Sequence, residues 1–149
     1  MPKLIFINLP VADLARSVAF YEAVGASKNP MFSDETAACM VFSDTVHAML
    51  LTHEKWATFT DRAIPDAHRT AQVLLCLSED SREAVDAVVE RAAKAGGQAD
   101  PSAKQDYGFM YGRSYATLTA TSGRSCGWTP KPPRRDRKPS PPRSAGVEP

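Results

Sequence analysis

Cysteine is scarce and scattered: Cys39, Cys76 and Cys126 are the only three in 149 residues, and none forms a CxxC pair. Thiols so far apart frame no disulfide scaffold and no zinc site, so they read as buried reduced thiols. Long apolar runs are also missing, which excludes a bilayer-spanning helix, and no secretory leader opens the chain. Neither a Gly-rich phosphate loop nor a nucleophile-and-base arrangement can be found. The expectation is a small cytoplasmic domain, long enough to bury a core of its own. Net charge is nearly absent overall, at +1, but its distribution is uneven. Residues 1–116 carry 11 Lys and Arg against 15 Asp and Glu, a net −4, while 117–149 carry 7 against 2, a net +5.

What is present begins with Leu4 to Ala26, where an apolar strand runs directly into an amphipathic helix. Ile5, Ile7, Leu9 and Val11 alternate with Phe6, Asn8 and Pro10, as in a strand covered on both faces near its start. Leu14, Val18 and Tyr21 then recur at helical spacing, with Asp13 placed to cap the helix and Gly25 to end it. A second copy lies further along the chain. Gln72 to Leu77 is another apolar strand, Asp80 or Ser81 caps the next helix, and Ala84, Val85, Val88, Val89 and Ala92 form its inner stripe up to a stop at Gly96-Gly97. Between the helices, 36–43 and 45–53 read as strands joined by a turn at Ser43-Asp44. The stretch 56–68, with Pro65 and many polar residues, reads as a linker.

Leu9, Val11, Asp13, Leu14, Ser17, Phe20, Tyr21 and Gly25 together resemble the opening of the vicinal-oxygen-chelate superfamily, which includes glyoxalase I, bleomycin-resistance proteins and extradiol dioxygenases. The resemblance implies an α+β fold in which two βαβββ modules pair and their curved sheet encloses a cavity. It divides the chain into a domain at 1–116 (module one about 1–55, linker 56–68, module two 69–116) and a tail at 117–149. It also implies a homodimer and a small-molecule ligand in the cavity, with no membrane or nucleic-acid partner.

The tail departs from that pattern. After Gly108 to Ala116 the family continues with an Asp-rich turn and an apolar strand carrying a glutamate. Here the chain reads Thr117-Leu118-Thr119-Ala120-Thr121-Ser122-Gly123-Arg124-Ser125-Cys126-Gly127-Trp128-Thr129-Pro130, with no core-strand alternation. The genetic code accounts for this if one base was lost near Ala116. Each original codon then starts with the last base of the preceding observed codon. Trp128 has the single codon TGG, so the codon at the place of Thr129 becomes GAC, an aspartate. Those at the places of Cys126 and Trp128 end in TG, giving Met, Leu or Val. One permitted reading restores Asp-Leu-Asp-Gly-His-Ile-Trp-Glu-Val-Met-Trp-Met-Asp-Pro, with a glutamate at the place of Arg124. On this reading module two has lost its last strand. The alternative takes Lys131 to Arg143 at face value, as a disordered basic, proline-rich arm able to meet nucleic acid or an anionic membrane.

The superfamily's metalloenzymes hold a divalent ion through His, Glu or Gln on the first and last strands of each module. The resemblance puts the first ligand position on Phe6, which has no donor, and its counterpart in module two on Gln72. The third falls near Met49, with His47 and His53 on the same face of the strand, and the fourth on Arg124. His47 and Gln72 are therefore the weak metal candidates, and the expectation is a protein without a metal cofactor. Asn8 shares a face with Phe6 and either offers its amide to a ligand or is a buried Asn satisfied by backbone. Arg113, among Tyr107, Tyr111 and Tyr115, suits an anionic ligand, or else an ion pair with Asp106. Trp56 and Phe59 flank a pocket mouth or pack the linker onto the core. Phe6, Asn8, His47, Met49, Gln72 and Arg113 are thus the expected ligand-binding residues, and no catalytic residue is assigned. A binding or sequestering protein is the first expectation. A metal-dependent lyase or extradiol dioxygenase is the second, and an interaction protein working through its basic tail the third.

Overall fold

A computed structural model describes residues 1–119 and, for the backbone, 122–128. Strand β1 (Ile5–Val11) leads into helix α1 (Leu14–Ala23), and the Asp13 carboxylate accepts the Arg16 amide at 3.0 Å. This is the expected cap, satisfying an amide that the first helical turn leaves without a carbonyl. Gly25 comes after the helix with φ +106°, a left-handed conformation that any side chain resists. Strands β2 (Ser27–Asn29), β3 (Ala37–Val41) and β4 (Val46–Thr52) complete the first module. A short helix α2 (His53–Ala57) opens the connection, which runs to β5 (Leu75–Glu79). Ser81 then caps helix α3 (Arg82–Lys94) by accepting the Ala84 amide at 3.0 Å. Strands β6 (Gln98–Ala99), β7 (Gln105–Asp106), β8 (Met110–Ala116) and β9 (Ser122–Trp128) finish the second module.

Each module makes one sheet, and the two share a topology. The first runs β1-β4-β3-β2 and the second β5-β9-β8-β6, with β7 also on β8. In both, the first strand pairs in parallel with the last, β1 with β4 and β5 with β9. This is the duplicated α+β arrangement with curved sheet expected from the repeat. Among the described residues no helix is long and apolar enough to cross a membrane.

The core explains the periodicity. Helix α1 buries Ser17, Phe20 and Tyr21, helix α3 buries Val85, Val88, Val89 and Ala92, and both meet the sheet residues Leu9, Val11, Met40, Ala48 and Leu50. Each fully buried side chain of this size contributes about 1.5–3 kcal/mol. Leu14 and Val18 are only partly buried, at the margin of the cluster.

Five expectations need correction. The start of β1 is not covered on both faces, since Ile5 and Phe6 are each about half exposed. Only the later part of the strand, at Leu9 and Val11, is buried, and alternation in sequence cannot say how far that cover reaches. The last strand of module two is present as β9, paired to both β5 and β8. A ladder is made by backbone groups, so two waiting strand edges accept an extended segment without apolar alternation. The strand expected from Gln72 begins only at Leu75. His53 starts α2 instead of continuing β4 beside His47. Of the thiols, Cys39 is buried but Cys76 is exposed, because alternation along β5 turns it to the opposite face from Leu75 and Leu77. The basic, proline-rich stretch 131–143 lies outside the described residues.

Candidate functional site

On the face of the first sheet turned away from α1, β1 and β4 place four of the expected residues side by side. The parallel register sets Phe6 opposite His47 and Asn8 opposite Met49. The Phe6 and His47 rings stack with centroids 4.7 Å apart and planes 18° apart. The His47 Nδ1 is buried there and has no hydrogen-bond partner among the described residues. An unpaired buried nitrogen of this kind costs about 1–3 kcal/mol.

Beyond Asn8, the end of β1 opens on a cavity of about 600 Å³. Asn8, Leu9, Pro10 and Ala12 form one wall, His53 and Trp56 of α2 another, and 64–73 the third, with Leu118 and Thr119 closing it. Local chemistry shapes each wall. Thr52 caps α2 by accepting the Lys55 amide at 3.2 Å, which turns His53 and Trp56 toward the cavity. Asp66 organises the third wall: its carboxylate accepts the His68 amide at 3.0 Å, and its carbonyl accepts the Arg69 and Thr70 amides at 3.0 Å each. The result is an apolar chamber edged by a few amide, imidazole and hydroxyl groups, the usual composition of a small-molecule site.

The expected residues therefore separate. Asn8 and Gln72 come together on this cavity, and Trp56 lines it, in keeping with one of its two expected roles. Phe6, His47 and Met49 sit on the adjoining sheet face, while Phe59 is exposed. Arg113 is elsewhere and fully engaged. Its Nε and Nη2 donate to Asp100 at 3.0 and 2.6 Å and its Nη1 to Asp86 at 2.9 Å, with Glu90 at 3.5 Å. The side chain is buried, so it has no fork left for a ligand. Arg113 first of all holds the Asp100 carboxyl below its ordinary range. Asp86 is lowered by the Tyr111 hydroxyl, at 2.8 Å, and then by Arg113. The anticipated partner Asp106 pairs instead with Arg82, at 2.7 and 2.8 Å. Sequence reasoning missed His68, Ile64 and Ala71; the turn-forming Pro65-Asp66 pair was the available signal that this connection folds back as a wall.

The donor set does not fit the divalent ion that the superfamily implies. Phe6 has no lone pair to give. Its counterpart is not Gln72: Phe6 lies seven residues before the cap Asp13, and seven before the cap Ser81 is Leu74, equally without a donor. Arginine at the fourth position carries only N–H donors. Among the described residues no three His, Cys, Asp or Glu side chains gather around one point.

Comparison with known proteins supports the fold. Residues 3–43 match a family model described as bleomycin resistance protein-like N-terminal. No curated protein matches the chain. Similar folds include a hypothetical protein from S. aureus, 20% identical with TM-score 0.72, covering 85% of this chain and 94% of that one. A glyoxalase/bleomycin resistance protein/dioxygenase family enzyme from Burkholderia phytofirmans PsJN is 19% identical with TM-score 0.70, covering 86% and 100%. A genomically encoded fosfomycin resistance protein from Listeria monocytogenes is 16% identical with TM-score 0.61, covering 89% and 95%. By fold, then, the chain is similar to proteins of the glyoxalase/bleomycin resistance protein/dioxygenase kind. The family model covers the part of module one from Lys3 to Ser43, which holds β1, α1, β2 and β3.

Proposed function

We propose that this protein binds a small, largely apolar molecule in the cavity between β1, α2 and residues 64–73, and that it acts by holding that molecule without a resident metal ion. The supporting observation is the cavity itself. Its volume of about 600 Å³ and its walls of Leu9, Pro10, Trp56, Ile64 and Leu118 suit such a ligand, with Asn8, Gln72 and His53 to orient it. A lyase or dioxygenase of the metal-dependent kind lacks its donor at Phe6 and is the weaker reading. The proposal includes pairing of two copies, supported by the exposed Leu4, Ile5 and Phe6 beside one sheet and Val73 and Leu74 beside the other.

The test uses the neutral fluorescent probe N-phenyl-1-naphthylamine. It should bind the full chain saturably, and Ala12→Trp, which fills the cavity from an exposed position, should abolish binding while the melting temperature is kept. Binding that does not saturate, or that survives the filled cavity, overturns the proposal. Sedimentation velocity tests the pairing, and a monomer at tens of micromolar would remove that part alone.

A further inference from the structure

We propose that the seam between the two modules is a second binding site, built for a small zwitterion that carries a carboxylate and an ammonium group, such as a free amino acid. A separate cleft of about 260 Å³ opens there, away from the large cavity. Module one contributes Val24 and Gly25 from the end of α1 and Ser43 from the β3–β4 turn. Module two contributes Ser78 and Glu79 from β5, Arg91 from α3 and Tyr115 from β8. The volume falls below the roughly 300–1,000 Å³ of pockets that hold drug-sized ligands, so the occupant is small.

Two opposite charges line this one cleft without closing on each other. Arg91 donates its Nε to the Ala23 carbonyl at 2.9 Å, covering one of the carbonyls that α1 leaves open at its end. That bond fixes the guanidinium at the rim and leaves both Nη groups without a partner among the described residues. Glu79, at the end of β5, feels Arg91 as an electrostatic neighbour, yet no ion pair joins them among the described residues. Burial pushes the Glu79 carboxyl up, Arg91 opposes that, and the adjacent Asp80 adds to it.

A lone anion at Arg91 would meet Glu79, and a lone cation at Glu79 would meet Arg91. A molecule bearing both charges satisfies the two together. Its carboxylate matches the planar two-pronged edge of the guanidinium, which forms paired parallel hydrogen bonds. Its ammonium faces Glu79. Ser78 supplies a hydroxyl that has no partner among the described residues, and the Tyr115 phenol, pushed up to about 12 chiefly by burial, remains a neutral donor at any physiological pH.

Isothermal titration of the full chain with L-alanine, γ-aminobutyrate, propionate and propylamine tests this. One of the two zwitterions, which differ in charge separation, should bind saturably and at least tenfold tighter than propionate or propylamine. Glu79→Gln keeps the shape and removes the charge, so the preference for the zwitterion over propionate should collapse to near one. Arg91→Lys keeps the charge and loses the fork, and should weaken the zwitterion about tenfold. Melting curves of both variants establish that they are folded. Failure of both zwitterions to bind, equal binding of propionate, or unchanged selectivity in a folded Glu79→Gln variant overturns the proposal. The Ala12→Trp variant separates the two sites: it should still bind the zwitterion, and loss of that binding would move the ligand to the large cavity and overturn the seam site.

Discussion

Phe6 lies flat against His47 across the parallel β1–β4 ladder, 4.7 Å between ring centroids, on the strand position where the superfamily's metalloenzymes begin their ligand set. The stack puts carbon where a donor is needed, and the His47 Nδ1 is buried without a hydrogen-bond partner among the described residues.

Elemental analysis of the purified protein is accordingly expected to find no stoichiometric zinc, nickel, iron or manganese. Phe6→His sets a second imidazole beside His47 and should raise zinc affinity measurably in equilibrium dialysis. About one ion per chain in the unaltered protein, lost on changing His47 or Gln72, would reverse the preference for metal-free binding.

Arg113 is a structural residue in this fold. Arg113→Met removes the partner of Asp100 and Asp86 together and should lower stability by roughly 1.5–3 kcal/mol, the range for hydrogen bonds to charged groups. The two carboxylates are partly in water, which keeps the loss below that of a wholly buried pair. Urea denaturation with an unchanged slope is the measurement, and a midpoint equal to wild type would contradict the assignment.

The same network sets an acid limit. Asp86 and Asp100 have folded-state affinities for protons below their ordinary value of about 3.9. A lowered carboxylate contributes stability that is complete above its unfolded value and disappears as pH falls through its folded one. The urea midpoint should therefore be level near neutrality and fall below about pH 4. In Asp100→Asn part of that fall should be missing, and an identical acid profile would count against the network.

Gly97 sits tightly between β8, helix α3 and the Phe20 ring of module one. A Cβ there would stand 2.5 Å from the Ala116 carbonyl oxygen, 2.8 Å from Phe20 and 3.0 Å from the Ala92 carbonyl oxygen. Two of these atoms are backbone and the third is a core ring, so none yields cheaply. Gly97→Ala should cost on the order of 1–3 kcal/mol, as overpacking does, and a thermal melt within a degree of wild type would show that the seam relaxes.

Restoring the reading frame by one base near Ala116 is proposed to raise thermal stability. The written β9 holds Gly123 and Gly127, each costing about 0.5–1 kcal/mol inside a strand relative to alanine, and the restored text replaces both. A gain of several degrees is expected for a few kcal/mol in a chain of this size. Equal melting temperatures would mean that backbone pairing with β5 and β8 already secures the sheet.

The repeat was legible because local rules act within a few residues. Asp13 and the Asp80-Ser81 pair announce the helix starts, Gly25 and Gly96-Gly97 the ends, and Val85, Val88, Val89 and Ala92 the buried stripe, each through spacing along one element. The poor fit to a metal was legible in part, because no arrangement of the chain gives Phe6 a donor. What the tertiary structure decided depends on surfaces that meet from far apart in sequence. Gln72 joins Asn8 only because the Asp66 turn folds 64–73 back over β1. Arg113 is consumed by Asp86 and Asp100 only because α3 and the turn after β6 both approach β8. Ser122–Trp128 forms a strand although its side chains do not alternate, because the edges of β5 and β8 stand ready on either side. Hydrogen-bond partners and cavity walls are properties of closed space, and a linear pattern fixes the parts without fixing which of them meet.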